Sequence, residues 1–227
     1  MTAASRAPGR WHFLQLTVVM AGWMLLSPLV GHPWLAEAIL QAFLLNSAVV
    51  TAWSNPQWQR YRWSLLALWG VSLGGSMLAL APLPDRWRLL ALAAETLALV
   101  PLLVALATGI LGYVFRCERM TADSLFAPIV VYVLIALLFA RVYVLLIALD
   151  PSSFSLPVAA AERGPDLLQA DMLYFSLITL ATVGYGDILP VSETARMVAV
   201  IEATTGQFYV AVIVAAFVGM YAARRRE

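Results

Sequence analysis

Lysine is missing from this chain: its fourteen basic residues are all arginine, and only 12% of its residues are charged. The formal charge of +1 gives no overall pull toward nucleic acid, so the electrostatic information lies in where the arginines stand. A single cysteine, Cys117, excludes an intrachain disulfide. No His or Cys residues cluster at metal-ligand spacing, so Cys117 reads as apolar filler and no cofactor is expected. His12 and His32 fall at the edges of apolar runs, and Gly74-Gly75-Ser76 has no histidine nearby. A membrane-embedded enzyme would therefore lack its nucleophile and base. Recognisable internal repeats, which would favour a secondary transporter, are also absent. What the chain has in quantity is apolar residue, 62% of the total with mean hydropathy +0.84, which suits a lipid bilayer and not water.

Apolar runs able to cross a hydrocarbon layer of about 30 Å as helices occur at about 11–30, 35–53, 63–82, 89–115, 125–149 and 192–222. Gly31-His32-Pro33, Ser54-Asn55-Pro56, Pro82-Leu83-Pro84-Asp85 and the charged stretch from Arg116 to Asp123 separate the first five. The expected fold is an all-α membrane protein with six transmembrane helices, 11–115 forming a four-helix bundle and 125–222 a second module. The first run has no small-residue cleavage site after its apolar core, so it reads as a retained span.

Placing the N-terminal arm, 1–10, in the cytoplasm puts Arg6, Arg10, Arg60, Arg62, Arg116, Arg119, Arg224, Arg225 and Arg226 inside. Only Arg86, Arg88, Arg163 and Arg196 then fall outside, with Arg141 left within a span. Nine against four satisfies the positive-inside bias, leaves both termini and the basic tail 223–227 cytoplasmic, and sends the 150–191 loop outside. The expected location is the plasma membrane, with membrane lipids as partners. Trp11, Trp34, Trp53, Trp63 and Trp87 stand at span ends, where indole prefers the headgroup boundary.

Residues 171–181 are too few to cross, and Asp171 is an acceptable N-cap, so this stretch reads as a re-entrant half-helix. Its C-terminal dipole pole favours a cation where the chain turns back. Thr182-Val183-Gly184-Tyr185-Gly186-Asp187 follows directly. Gly184 and Gly186 permit backbone angles closed to other residues, so the carbonyls of Thr182, Val183, Gly184 and Tyr185 can turn one way while the Val183 and Tyr185 side chains point back into protein. The run Thr182-Val183-Gly184-Tyr185-Gly186 resembles the filter sequence of potassium channels, and that resemblance implies that its carbonyls, with the Thr182 hydroxyl, replace the water shell of a potassium ion. Irregular backbone at this depth must be buried in protein or line a wet cavity, and one chain supplies only one strand of the cage. Several copies around an axis are therefore required.

Taken together with this half-helix and glycine-flanked run, residues 125–222 resemble the pore domain of the tetrameric potassium channel family. The resemblance implies an outer helix at 125–149, a turret at 150–170, a pore helix at 171–181, a filter at 182–187 and an inner helix at 192–222. It implies a homotetramer that conducts potassium passively, with K+ held at Thr182, Val183, Gly184 and Tyr185 as permeant ion. Tyr174 and Phe175 occupy the places of an aromatic cuff around Tyr185, with simple packing as the other reading, and Tyr174 is placed to hydrogen-bond Asp187. A non-selective monovalent cation pore is the nearest alternative, and Tyr185 with Asp187 favours potassium.

Two departures from that family stand out. Ile178 occupies a place where some relatives carry an acid, and 89–115 holds only Glu95 as a charge between Arg88 and Arg116. Voltage gating draws about 2.3 kcal/mol per charge per 100 mV, so intrinsic voltage sensing is expected to be weak or absent.

Gly206 lies midway along the last span, as either a hinge or a close-packing position. Val210, Val214 and Val218 repeat every fourth residue below it and line either a dewetting gate or the lipid face. Arg141 lies about 13 Å below Asp150, and Glu202 about 15 Å below the start of the last span, at ~1.5 Å per residue. Intramembrane charges rarely stay unpaired, so an Arg141–Glu202 ion pair is expected, with Glu95 as the competing partner. Outside, Asp150, Glu162, Asp166 and Asp171 give a mildly acidic loop that either concentrates cations or is simply solvated. Inside, the short arm and Arg224-Arg225-Arg226-Glu227 offer no soluble ligand-binding domain, and the arginines mark topology or touch anionic lipid.

Overall fold

The computed structural model describes residues 12–26, 33–54, 56–79, 81, 84–116, 123–157 and 165–224 of the chain. The N-terminal arm, Trp11, His32, Cys117, Arg119, Glu162, Arg163 and the tail 225–227 lie outside the described residues. The chain divides into two compact units, Met1–Ile135 and Ala136–Glu227. The division falls inside a helix, not in the charged stretch before 125 where the sequence suggested it.

The first unit holds helices α1 (His12–Leu26), α2 (Pro33–Ser54), the short α3 (Pro56–Gln59), α4 (Arg62–Ala79), α5 (Asp85–Arg116) and the opening turns of α6 (Ala127–Leu149). Its main contact is α4 against α5, with α2 packed on α4 and α1 on α2. Gly75 makes the α4–α5 approach possible: a Cβ there would meet Glu95 Cβ at 2.7 Å and its Cα at 3.1 Å. Between α2 and α4 one buried amide makes several polar approaches: Gln41 Nε2 donates to Glu37 Oε1 at 2.9 Å and lies 3.4 Å from the hydroxyls of Ser72 and Ser76. Asp123 explains why the start of α6 belongs to this unit. Its Oδ1 accepts from Leu14 N at 2.9 Å, satisfying an amide in the first turn of α1.

In the second unit α6 leads through a turn at Pro151–Ser153, capped by Asp150, into β1 (Phe154–Ser155). Asp150 Oδ1 accepts from the Ser152 amide at 2.9 Å and its hydroxyl at 2.6 Å, which holds the carboxyl below its ordinary pKa. Then come α7 (Pro165–Leu180), the Thr182–Asp187 stretch, β2 (Leu189–Pro190) and α8 (Glu193–Arg224). The strands pair antiparallel, Phe154 opposite Pro190 and Ser155 opposite Leu189. Helix α7 begins at Pro165, not at Asp171, because proline followed by aspartate already suits a first helical turn. Asp171 therefore lies inside the helix, and the last residues of the expected 150–170 turret are its opening turns.

Among the described residues three helices are long and apolar enough to cross a membrane, Arg86–Arg116, Asp123–Leu149 and Glu193–Gly219. Helices α1, α2 and α4 have 15, 22 and 18 residues. The apolar stretch of α8 is 11% buried within the chain, against 61% for that of α6.

Candidate functional site

The site begins where α7 ends. Thr182 N donates to Thr179 O at 2.9 Å and Val183 N to Ile178 O at 2.8 Å, the paired bonds of a Schellman cap. Such a cap needs a left-handed residue just past the helix, and Thr182 takes that place with φ +56°. Glycine is usual there; for an L-residue the left-handed region costs about 1–2 kcal/mol. Positive φ recurs at Gly184 (+56°) and Gly186 (+80°) but not at Val183 or Tyr185. Alternation of backbone hand bends a chain so that successive peptide groups line one side of it.

Around this strand the second unit supplies two supports. The first is aromatic: the rings of Tyr143, Phe154 and Phe175 meet pairwise at 5.2–5.5 Å, all edge to face, joining α6, β1 and α7. Phe175 is thus committed to packing and, at 5% exposure, has little surface left to serve as a cuff. Tyr174 stays at the surface, where its hydroxyl donates to Asp187 Oδ2 at 2.9 Å behind the strand. Val183 and Tyr185 are 50% and 71% exposed, so the expected burial of their side chains is not met within a single chain.

The second support is polar. Glu202 of α8 is fully buried, and its carboxylate accepts from Tyr143 Oη at 2.6 Å and from Ser176 Oγ in a very short contact. Ser176 Oγ also lies 2.8 Å from the Ala136 carbonyl. One carboxylate thereby gathers hydroxyls from α6 and α7 onto α8. Arg141, two residues before Tyr143, is itself buried. Gly206, one helical turn after Glu202, passes so close to α7 that a Cβ would meet Leu180 O at 2.3 Å. At this position α8 leaves no room for a side chain beside α7. Beside Gly206, Gln207 Nε2 lies 3.3 Å from Thr182 Oγ1.

Residues 131–223, which hold all of these groups except the first turn of α6, match the family model described as "Ion channel". The chain is also 35% identical over 97 residues to Protein LctB of Bacillus caldotenax, covering 43% of this chain and 72% of that one. It is 39% identical over 98 residues to Protein LctB of Geobacillus stearothermophilus, with the same coverages. The chain belongs to the ion-channel family. No solved structure matches it.

In this ion channel the family match falls on the strand and its supports, and the apolar helices make the protein a multi-pass membrane protein. Sequence reasoning named Thr182–Asp187, Tyr174, Phe175, Gly206 and Glu202, which the fold gathers into the second unit. It did not find Tyr143, Ser176, Phe154 or Gln207. A serine in an otherwise apolar stretch of α7 was the available signal for Ser176, since such a hydroxyl needs a partner. Nothing in the sequence told which face of α6 would carry Tyr143.

Proposed function

We propose that this channel is potassium-selective and that four copies surround an axis lined by Thr182–Gly186. The observation that carries the reading is the alternation of φ at Thr182, Gly184 and Gly186, directly after a helix of 16 residues. The carbonyls of Thr182, Val183, Gly184 and Tyr185, with the Thr182 hydroxyl, take the place of water around the potassium ion, which is substrate and not cofactor. Asp187 and Tyr174 brace the outer end. The need for copies follows from exposure. Residues 181–187 are exposed in the single chain, and irregular backbone cannot face lipid. Neighbouring subunits supply the cover that Val183 and Tyr185 lack.

Six spans with both termini cytoplasmic and a plasma-membrane location complete the reading, on the arginine asymmetry of the sequence. Voltage dependence is weak, since Glu95 is the only charge between Arg88 and Arg116. Val210, Val214 and Val218 are gate residues. Gln207 reaches the filter's first residue, so its face of α8 looks toward the axis. At ~100° per residue the three valines lie within about 60° of that face. An Arg141–Glu202 pair, with Glu95 as competing partner, steadies α6 against α8.

Purified protein in liposomes with mixed potassium and sodium gradients tests the function. A reversal potential that tracks the potassium gradient is expected; one insensitive to exchanging the two ions would leave a non-selective cation channel, and sealed liposomes would end the conduction reading.

A further inference from the structure

The Thr182 hydroxyl has a neighbour that the filter reading does not use, Nε2 of Gln207 at 3.3 Å. Two features of the fold put it there. Gly206 lets α8 pass against Leu180 O with no room for a Cβ, so the next residue is delivered to the foot of the filter. Thr182 in turn occupies the left-handed position of a helix cap, φ +56°, which glycine would fill more cheaply. A β-branched residue kept in a strained conformation points to use of its side chain.

We infer that Gln207 is a positioning residue of the filter: its amide holds the Thr182 hydroxyl with an oxygen lone pair, and not its proton, toward the conduction axis, and so sharpens the preference of the innermost site for potassium. This rests on the channel reading above. A hydroxyl has one proton and two lone pairs, and it rotates to suit its partners. An N–H donor on one lone pair leaves the other for the ion and turns the proton elsewhere. With an apolar residue at 207 the hydroxyl turns freely, and a proton facing the axis opposes a cation. Gln207 is exposed in the single chain, so its side chain is not needed for packing within the subunit.

The experiment compares full-length wild type, Gln207→Leu, Gln207→Met, Thr182→Val and the Thr182→Val/Gln207→Leu double variant in planar bilayers, reading the potassium-to-sodium permeability ratio from bi-ionic reversal potentials. Each Gln207 variant is expected to lower the ratio about three- to tenfold, the factor one ordinary net hydrogen bond is worth. In the Thr182→Val background Gln207→Leu is expected to add nothing, because the shared hydroxyl is gone. The inference is overturned if both Gln207 variants stay within twofold of wild type, or if Gln207→Leu acts equally with and without the hydroxyl. Should Gln207→Leu fail to assemble, Gln207→Met, of similar length and flexibility, carries the same test. A wild type without potassium preference overturns the functional reading as well, whereas a selective wild type with unaltered variants overturns only the role of Gln207.

Discussion

Gly206→Ala separates close packing from hinge action by geometry. The added methyl would stand 2.3 Å from Leu180 O and 3.1 Å from Leu180 C, atoms of the main chain that cannot swing aside. Ordinary carbon–oxygen contact lies near 3.3 Å, the separation of a weak C–H···O approach, so α8 or the end of α7 must yield by roughly 1 Å. Overpacking of this kind costs about 1–3 kcal/mol. The displaced carbonyl belongs to the residue two before Thr182, so loss of stability and loss of ion selection should arrive together. Thermal unfolding of the purified protein, with and without potassium, measures the first; bilayer recording measures the second. A hinge would behave differently, with stability kept and only the open fraction reduced. Gly206→Ala protein with wild-type unfolding and wild-type permeability ratio would refute the close approach of α8 to Leu180.

Removing either hydroxyl from Glu202, by Tyr143→Phe or Ser176→Ala, should destabilise the protein by about 1–3 kcal/mol in unfolding assays, since a buried carboxylate then loses a donor. Arg141→Glu and Glu202→Arg should each impair folding and the double exchange restore part of it; no recovery in the double variant discards the pairing. Val214→Asp should raise resting conductance in flux assays if its face of α8 lines the gate. Asp150, held below its ordinary pKa by Ser152, favours the folded turn at neutral pH, and that contribution fades as pH falls through the lowered value. Hydrogen exchange at Ser152 and Ser153 should therefore quicken only in strong acid, and Asp150→Asn should blunt the change.

Helices were legible in the sequence because long apolar runs admit few other structures in lipid, and the apolar runs agree in their bounds with helices α2, α5, α6 and α8 to within a few residues. The start of α7 was not, since Pro165-Asp166 and Asp171 both offer helix-start chemistry and local sequence does not rank them. Thr182–Asp187 stood out by its resemblance to the filter sequence of potassium channels. Its mode of attachment was not legible, because a Schellman cap with threonine at the left-handed position breaks the preference that sequence reading relies on. Glu202 stood out as a charge within an apolar run, yet its hydroxyl donors lie 26 and 59 residues away in sequence, beyond what helical periodicity can relate.

The two-residue ribbon between Phe154 and Pro190 has a mechanical meaning. With Val191 N bonded to Ser153 O at 2.8 Å, the far end of the Thr182–Asp187 segment is moored to the exit of α6, while its near end is moored to α7. A string fixed at both ends has little slack. In the filter proposed above, loosening either mooring is expected to blur the distinction between ions that differ only in radius.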